Sequence, residues 1–140
     1  MNFHTGSSIF ANNRIKYGNP IYFDDVAVDF PDLKIIMAHG GRGPWYDEAF
    51  TMVRLHKNVY IDITGLPPKN LLDIFPDIER FAHKFIFGTD WPFPAFNIIN
   101  MTATAMEAKK NIAAIRNLNI SQEAIAKILG GNARQLLELP

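Results

Sequence analysis

Three short apolar runs and a shorter N-terminal candidate strand, each followed by a helix-like stretch, constrain this chain more than any other feature. Leu33–Ala38, Val59–Ile63 and Phe85–Phe87 are nearly continuous in apolar residues, and Asn2-Phe3 is a fourth, very short candidate strand. Unbroken apolar runs are expected of strands covered on both faces, as in parallel sheets. Their centres fall near positions 3, 36, 61 and 86, so they are 33, 25 and 25 residues apart. A strand, its helix and the crossover take about 30 residues. With right-handed crossovers, such repeats build either a doubly wound sheet or a piece of a barrel. A complete (β/α)8 barrel typically takes about 250 residues, and this chain has 140.

The stretches between the runs read as helices. Pro20–Phe30 follows Asn19 as N-cap, with proline at the first helical position. Pro44–Lys57 places Trp45, Ala49, Met52, Val53 and His56 on one stripe. Lys69–His83 has Leu72, Phe75, Ile78 and Phe81 in register, and Pro76 breaks or kinks it. The remainder is helical: Ile98–Leu118 is one long helix, Ser121 caps the next, and Gly130-Gly131 ends it. Asn132 then caps a last helix running through Leu139. There is no linker or low-complexity segment, so residues 1–140 read as a single domain.

Composition narrows the function classes. Lys plus Arg is 14 and Asp plus Glu is 14, a balance without the basic footprint of a nucleic-acid or anionic-membrane partner. Hydrophobic residues make up 48%, in keeping with a folded core. No stretch approaches the roughly 18 uninterrupted apolar residues of a membrane span. The N-terminus lacks the basic-then-apolar pattern of a signal peptide. With no cysteine there is no disulfide framework and no thiolate ligand or nucleophile. The expectation is a cytoplasmic protein acting on a small molecule.

Each strand delivers an ionisable side chain at or near its C-terminal end: His4, His39, Asp62 and Asp90. In parallel α/β folds ligands bind at that end, because the βα loops open there. Imidazole nitrogens and carboxylate oxygens are the usual ligands of a divalent transition metal. A metal-bound water becomes a nucleophile near neutral pH. A nearby carboxylate can take its proton, and a second histidine can polarise a carbonyl. Taken singly, a histidine at a strand end is more often a hydrogen-bonded structural residue. Asp90 could simply cap the segment that follows, and Asp62 reads as a structural hydrogen-bonding residue. Gly40-Gly41-Arg42-Gly43 lacks the lysine and spacing of a P-loop, and its glycines allow backbone turns close to a ligand. Arg42 either binds a substrate carboxylate or sits solvated. Trp45 reads as core, and His56 and His83 suit helix C-termini. The joint placement of His4, His39 and Asp90 on one rim is the chemical signal.

Phe3-His4-Thr5-Gly6, Ala38-His39-Gly40-Gly41 and Phe87-Gly88-Thr89-Asp90-Trp91-Pro92 resemble three signature segments of the amidohydrolase superfamily. The nearest branch is the amidohydrolase-related group containing aminocarboxymuconate-semialdehyde decarboxylase, resorcylate decarboxylases and dicarboxylate lactonases. Ile128-Leu129-Gly130-Gly131-Asn132-Ala133-Arg134-Gln135-Leu136-Leu137 resembles that branch's C-terminal helix. The resemblance covers essentially the whole chain and aligns it with strands five to eight of a (β/α)8 TIM barrel. It implies an α/β half-barrel with extra C-terminal helices. By the same resemblance His4 is a metal ligand and Asp90 shares the metal and moves protons. His39 polarises or protonates the substrate, and Arg42 and Trp91 line the pocket. The implied ion is divalent, zinc first and manganese second. The implied chemistry is hydrolysis of a C–N or C–O bond, or decarboxylation of a small carboxylic acid.

The family's His-x-His pair on strand one has no counterpart among His4, His39, His56 and His83. The chain alone is therefore expected to bind metal weakly. A half-barrel leaves open strand edges and an uncovered apolar interior, both of which favour association. Two copies pairing into an eight-stranded barrel bring Asp90 of one copy toward the partner's His4. A truncated form is the plainer alternative. Two rival readings remain at this point. One is a non-catalytic half-barrel serving as an interaction or structural subunit. The other is a doubly wound nucleotide binder, for which Thr5-Gly6-Ser7-Ser8 is a poor match.

Overall fold

The computed structural model describes residues 1–8, 10–90 and 101–140. They fall into two compact units, Met1–Ile63 and Thr64–Pro140.

The first unit holds strands β1 (Asn2–Gly6), β2 (Ile35–Arg42) and β3 (Val59–Asp62), with helices α1 (Asp24–Asp29) and α2 (Tyr46–Leu55) between them. Both pairings are parallel. Asn2, Phe3 and His4 lie opposite Ile36, Met37 and Ala38, and Ile35 to Ala38 lie opposite Val59 to Asp62. β1 is longer than the expected Asn2-Phe3, and β2 starts later than Leu33 but runs on through His39-Gly40-Gly41 to Arg42. The expected helix from Pro20 opens as a 3-10 turn, Pro20–Phe23, before α1. Its cap is as expected: Asn19 Oδ1 accepts the Ile21 N–H at 2.9 Å.

The register separates the two faces of this sheet. Ile35, Met37, Val59 and Ile61 are completely buried, and α2 packs there through Ala49, Phe50, Met52 and Val53. The other face carries Asn2 and His4, Ile36 and Ala38, Tyr60 and Asp62; all six are half-buried or exposed. At the N-terminal end of the sheet Asn58 ties the connections together. Its buried Nδ2 donates to the carbonyls of Ala27 (3.2 Å), Phe30 (3.0 Å) and Leu33 (3.1 Å).

The second unit holds helix α3 (Leu71–Ile74), strand β4 (Phe85–Ile86) and helices α4 (Met101–Arg116), α5 (Gln122–Ala126) and α6 (Asn132–Leu136). The helix expected over Lys69–His83 is reduced to α3 and flanking 3-10 turns. Pro76 disfavours a helical conformation at Phe75, which sits at φ −129°, ψ 79°. The core here is Leu71, Phe75, Ile78, Phe85, Ile115, Ile125 and Ile128, with the Phe75 and Phe85 rings 5.2 Å apart and tilted by 59°. Of the long helix expected from Ile98, α4 begins at Met101, and Ile98–Asn100 lie outside the described residues. Ser121 caps α5, its Oγ accepting the Ala124 N–H at 3.3 Å.

Asn132 is not the cap expected of it. The preceding helix breaks at Gly130, which is non-helical at φ 177°, ψ −27°, as expected of the Gly130-Gly131 pair, and Asn132 is already helical at φ −68°, ψ −42°. Its side chain turns inward and donates to the carbonyls of Ala82 (2.6 Å) and Phe85 (2.7 Å). Among the described residues no helix is long and apolar enough to cross a membrane.

Candidate active site

The C-terminal ends of β1 and β2 bring two of the expected site residues together. His4 stands exposed on β1, level with Ala38 and Asp62 on the half-open sheet face. His39 is buried, with 6% of its surface exposed. The two imidazoles meet edge to face, with ring centroids 4.8 Å apart and planes at 66°.

Unusual backbone surrounds this contact. His39, Gly40 and Gly41 have φ of 66°, 51° and 73°, three left-handed residues in succession. For a side chain larger than glycine's that conformation costs about 1–2 kcal/mol, and such strain persists only where the surroundings impose it. The surroundings here are close. A Cβ on Gly41 would collide with the Trp45 carbonyl oxygen. That oxygen accepts the Ala49 N–H at 3.0 Å, and the Trp45 N–H donates to Gly41 O at 3.0 Å. Strand β2 thus turns directly into α2.

Thr5 lies between His4 and the glycine that ends β1, and it is completely buried. Its hydroxyl donates to Ala38 O at 2.8 Å and accepts the Gly41 N–H at 2.9 Å. The sequence reading missed this residue. The available signal was a hydroxyl side chain in a strand facing two consecutive glycines. Arg42 is half-buried; its guanidinium donates to Ser7 O at 3.1 Å, and Ser7 N–H donates back to Arg42 O at 2.7 Å. Tyr60 shares the His4 face of the sheet, and burial raises its phenol above the usual value.

Asp90 belongs to the second unit, where it is exposed and left-handed at φ 52°. Trp91, expected to line the pocket, lies outside the described residues. Among the described residues no group of three or more His, Asp or Glu side chains is gathered to hold a metal ion.

The amidohydrolase family profile matches residues 1–139; the chain belongs to the amidohydrolase family. No curated protein matches it. Among solved structures, it superposes on a TIM-barrel protein of Bordetella bronchiseptica with a TM-score of 0.74 and 28% identity, covering 98% of this chain and 44% of that one. A 2,6-dihydroxybenzoate decarboxylase from Rhizobium is similar over 98% of this chain and 50% of its own, at 20% identity and TM-score 0.54. A dihydroxybenzoic acid decarboxylase from Polaromonas, with bound manganese and 2-nitroresorcinol, matches 83% of this chain and 36% of its own, at 24% identity and TM-score 0.51. The chain therefore spans half or less of the length of these solved relatives, and its architecture is half of a (β/α)8 barrel.

Proposed function

We propose that this chain carries part of a metal-dependent amidohydrolase-type active site, for hydrolysis of a C–N or C–O bond or for decarboxylation of a small carboxylic acid. The observation that carries this reading is the His4–His39 pair, two imidazoles 4.8 Å apart at adjacent strand ends. The exposed His4 offers one imidazole nitrogen to an ion, and His39 beside it is close enough to reach a substrate held there. Nitrogen and oxygen ligands suit zinc or manganese. The Polaromonas decarboxylase, which binds manganese, supports a divalent metal.

His4, exposed at the mouth, is the ligand from this half. Asp90, supplied to that site by a second copy, adds a carboxylate that ligates and moves protons. His39, recessed beside His4, donates a hydrogen bond or proton to the substrate's reacting oxygen or carbon. Arg42 holds a substrate carboxylate, and Trp91, outside the described residues, is assigned with it to substrate binding. The metal, when bound, acidifies a water or polarises the substrate. A second copy of this chain completes the ligand set by bringing its own Asp90 toward His4. We place this activity in the cytoplasm.

The test combines three measurements on the purified chain. Sedimentation should show a dimer. Titration with Zn²⁺ and with Mn²⁺ should give binding that His4→Ala weakens at least about tenfold, the loss of roughly one ligand's interaction. Turnover of dihydroxybenzoates and small lactones should depend on added metal and fall with His39→Ala. A folded monomer would refute completion by a second copy. Substitutions at His4 and His39 that alter only stability would make the chain a non-catalytic half-barrel subunit.

A further inference from the structure

Strand alternation makes the His4–His39 contact unexpected. Ile35 and Met37 point into the helix-covered core, and both are completely buried. Ile36 and Ala38 point the other way, level with Asn2 and His4 across the pairing. Side chains alternate strictly along a regular strand, so position 39 belongs with 35 and 37, on the face away from His4. The rings nonetheless touch at 4.8 Å.

The reversal happens in the segment where the register slips. His4 pairs with Ala38 and Gly6 with Arg42, so β2 uses four steps where β1 uses two. Two extra residues are accommodated by the left-handed run His39-Gly40-Gly41. A bulge of this kind disrupts the ladder and leaves backbone groups in need of partners. The Thr5 hydroxyl reaches both sides of the gap: it donates to Ala38 O, just before the run, and accepts from Gly41 N–H at its end. A hydroxyl has one proton to give and lone pairs to accept with, so this one side chain bridges the distorted segment. Its branched Cβ restricts χ1.

We infer that Thr5 is a positioning residue: its hydroxyl holds the slipped segment in the shape that turns the His39 imidazole onto the His4 side of the sheet. The catalytic meaning of that placement rests on the function proposed above; the placement itself does not.

Histidine-labelled chain tests it by NMR. The wild type should show a His4–His39 ring NOE, a slowly exchanging Thr5 hydroxyl proton and a protected Gly41 amide. Thr5→Val keeps the branched shape and removes the hydroxyl. It should lose the ring NOE and speed Gly41 amide exchange at least about tenfold, as expected for a buried donor losing its acceptor. Thr5→Ser should restore both. A folded Thr5→Val variant that keeps the ring NOE overturns the inference, as does a serine variant that behaves like the valine one. Should valine prevent folding, a fast-exchanging Thr5 hydroxyl in the wild type overturns it equally. If His39→Ala leaves turnover unchanged while these NMR results hold, the proposed function fails and the positioning role stands.

Discussion

Replacing Asn58 by Asp tests whether one amide organises the N-terminal end of the first sheet. The substitution keeps shape and size but removes both N–H donors. Three carbonyls, of Ala27, Phe30 and Leu33, would then face a carboxylate instead of an amide nitrogen. Asn58 is 2% exposed, and its bond to the Ala27 carbonyl is buried with it, whereas the Phe30 carbonyl keeps the Leu33 N–H at 3.0 Å. Each buried group stripped of its partner costs about 1–3 kcal/mol, and an unpaired buried charge adds several kcal/mol. A loss of about 4 kcal/mol or more at pH 7 follows. At about 2.1 cal/mol/K of unfolding entropy per residue, a chain of 140 residues loses about 13 °C in Tm. The sign of the pH dependence is fixed. Burial raises the introduced carboxyl's pKa in the folded state, so the penalty is smallest below about pH 4 and grows as pH rises through the folded value. Asn58→Leu, which cannot ionise, should lose less and show no such dependence. Thermal melts from pH 4 to pH 8 read both effects. A drop under about 3 °C at pH 7, or equal deficits at every pH, would refute the clamp.

Three further outcomes are expected. Gly41→Ala should cost about 2–3 kcal/mol in a denaturant titration, because alanine at φ 73° is strained and its methyl meets the Trp45 carbonyl; a loss under about 1 kcal/mol contradicts this. Asn132→Leu should lower Tm by about 7 °C, from about 2 kcal/mol for losing two buried hydrogen bonds, to the carbonyls of Ala82 and Phe85, and an unchanged melt would show the contacts are dispensable. His83 titrates below its usual 6.5, first through desolvation and then through Lys84 and Lys127. The neutral ring is favoured in the fold, so His83 supports stability above about pH 6.5 and that support is lost on acidification. His83→Gln should flatten this part of the stability profile, whereas parallel profiles would exclude the effect.

The strands were legible because a covered parallel sheet writes itself as continuous apolar runs. Asn19 and Ser121 were legible as caps because a short polar side chain before a helix has little else to do. Pro76 announced the end of α3. What escaped the sequence was set by tertiary contacts. Asn132 looks like a cap, yet the helix that starts after the Gly130 kink already includes it, and its amide turns to two buried carbonyls. The end of β2 looks like a glycine loop, yet it stays paired with β1. His4 and His39 were found as strand-end residues, and the structure brings their rings together. Thr5 escaped because its role depends on a register slip that no local pattern encodes.

The left-handed backbone at His39 bears on how this position can vary over evolutionary time. The main chain there sets where the Cβ of His39 points, and the ring is aimed from that starting direction. Asparagine and aspartate tolerate that conformation, whereas valine, isoleucine and threonine resist it. Drift at position 39 is thereby channelled toward small polar replacements, which keep the bend while losing the imidazole. A descendant that abandoned the chemistry would be expected to preserve the local chain path and record the loss in a single side chain.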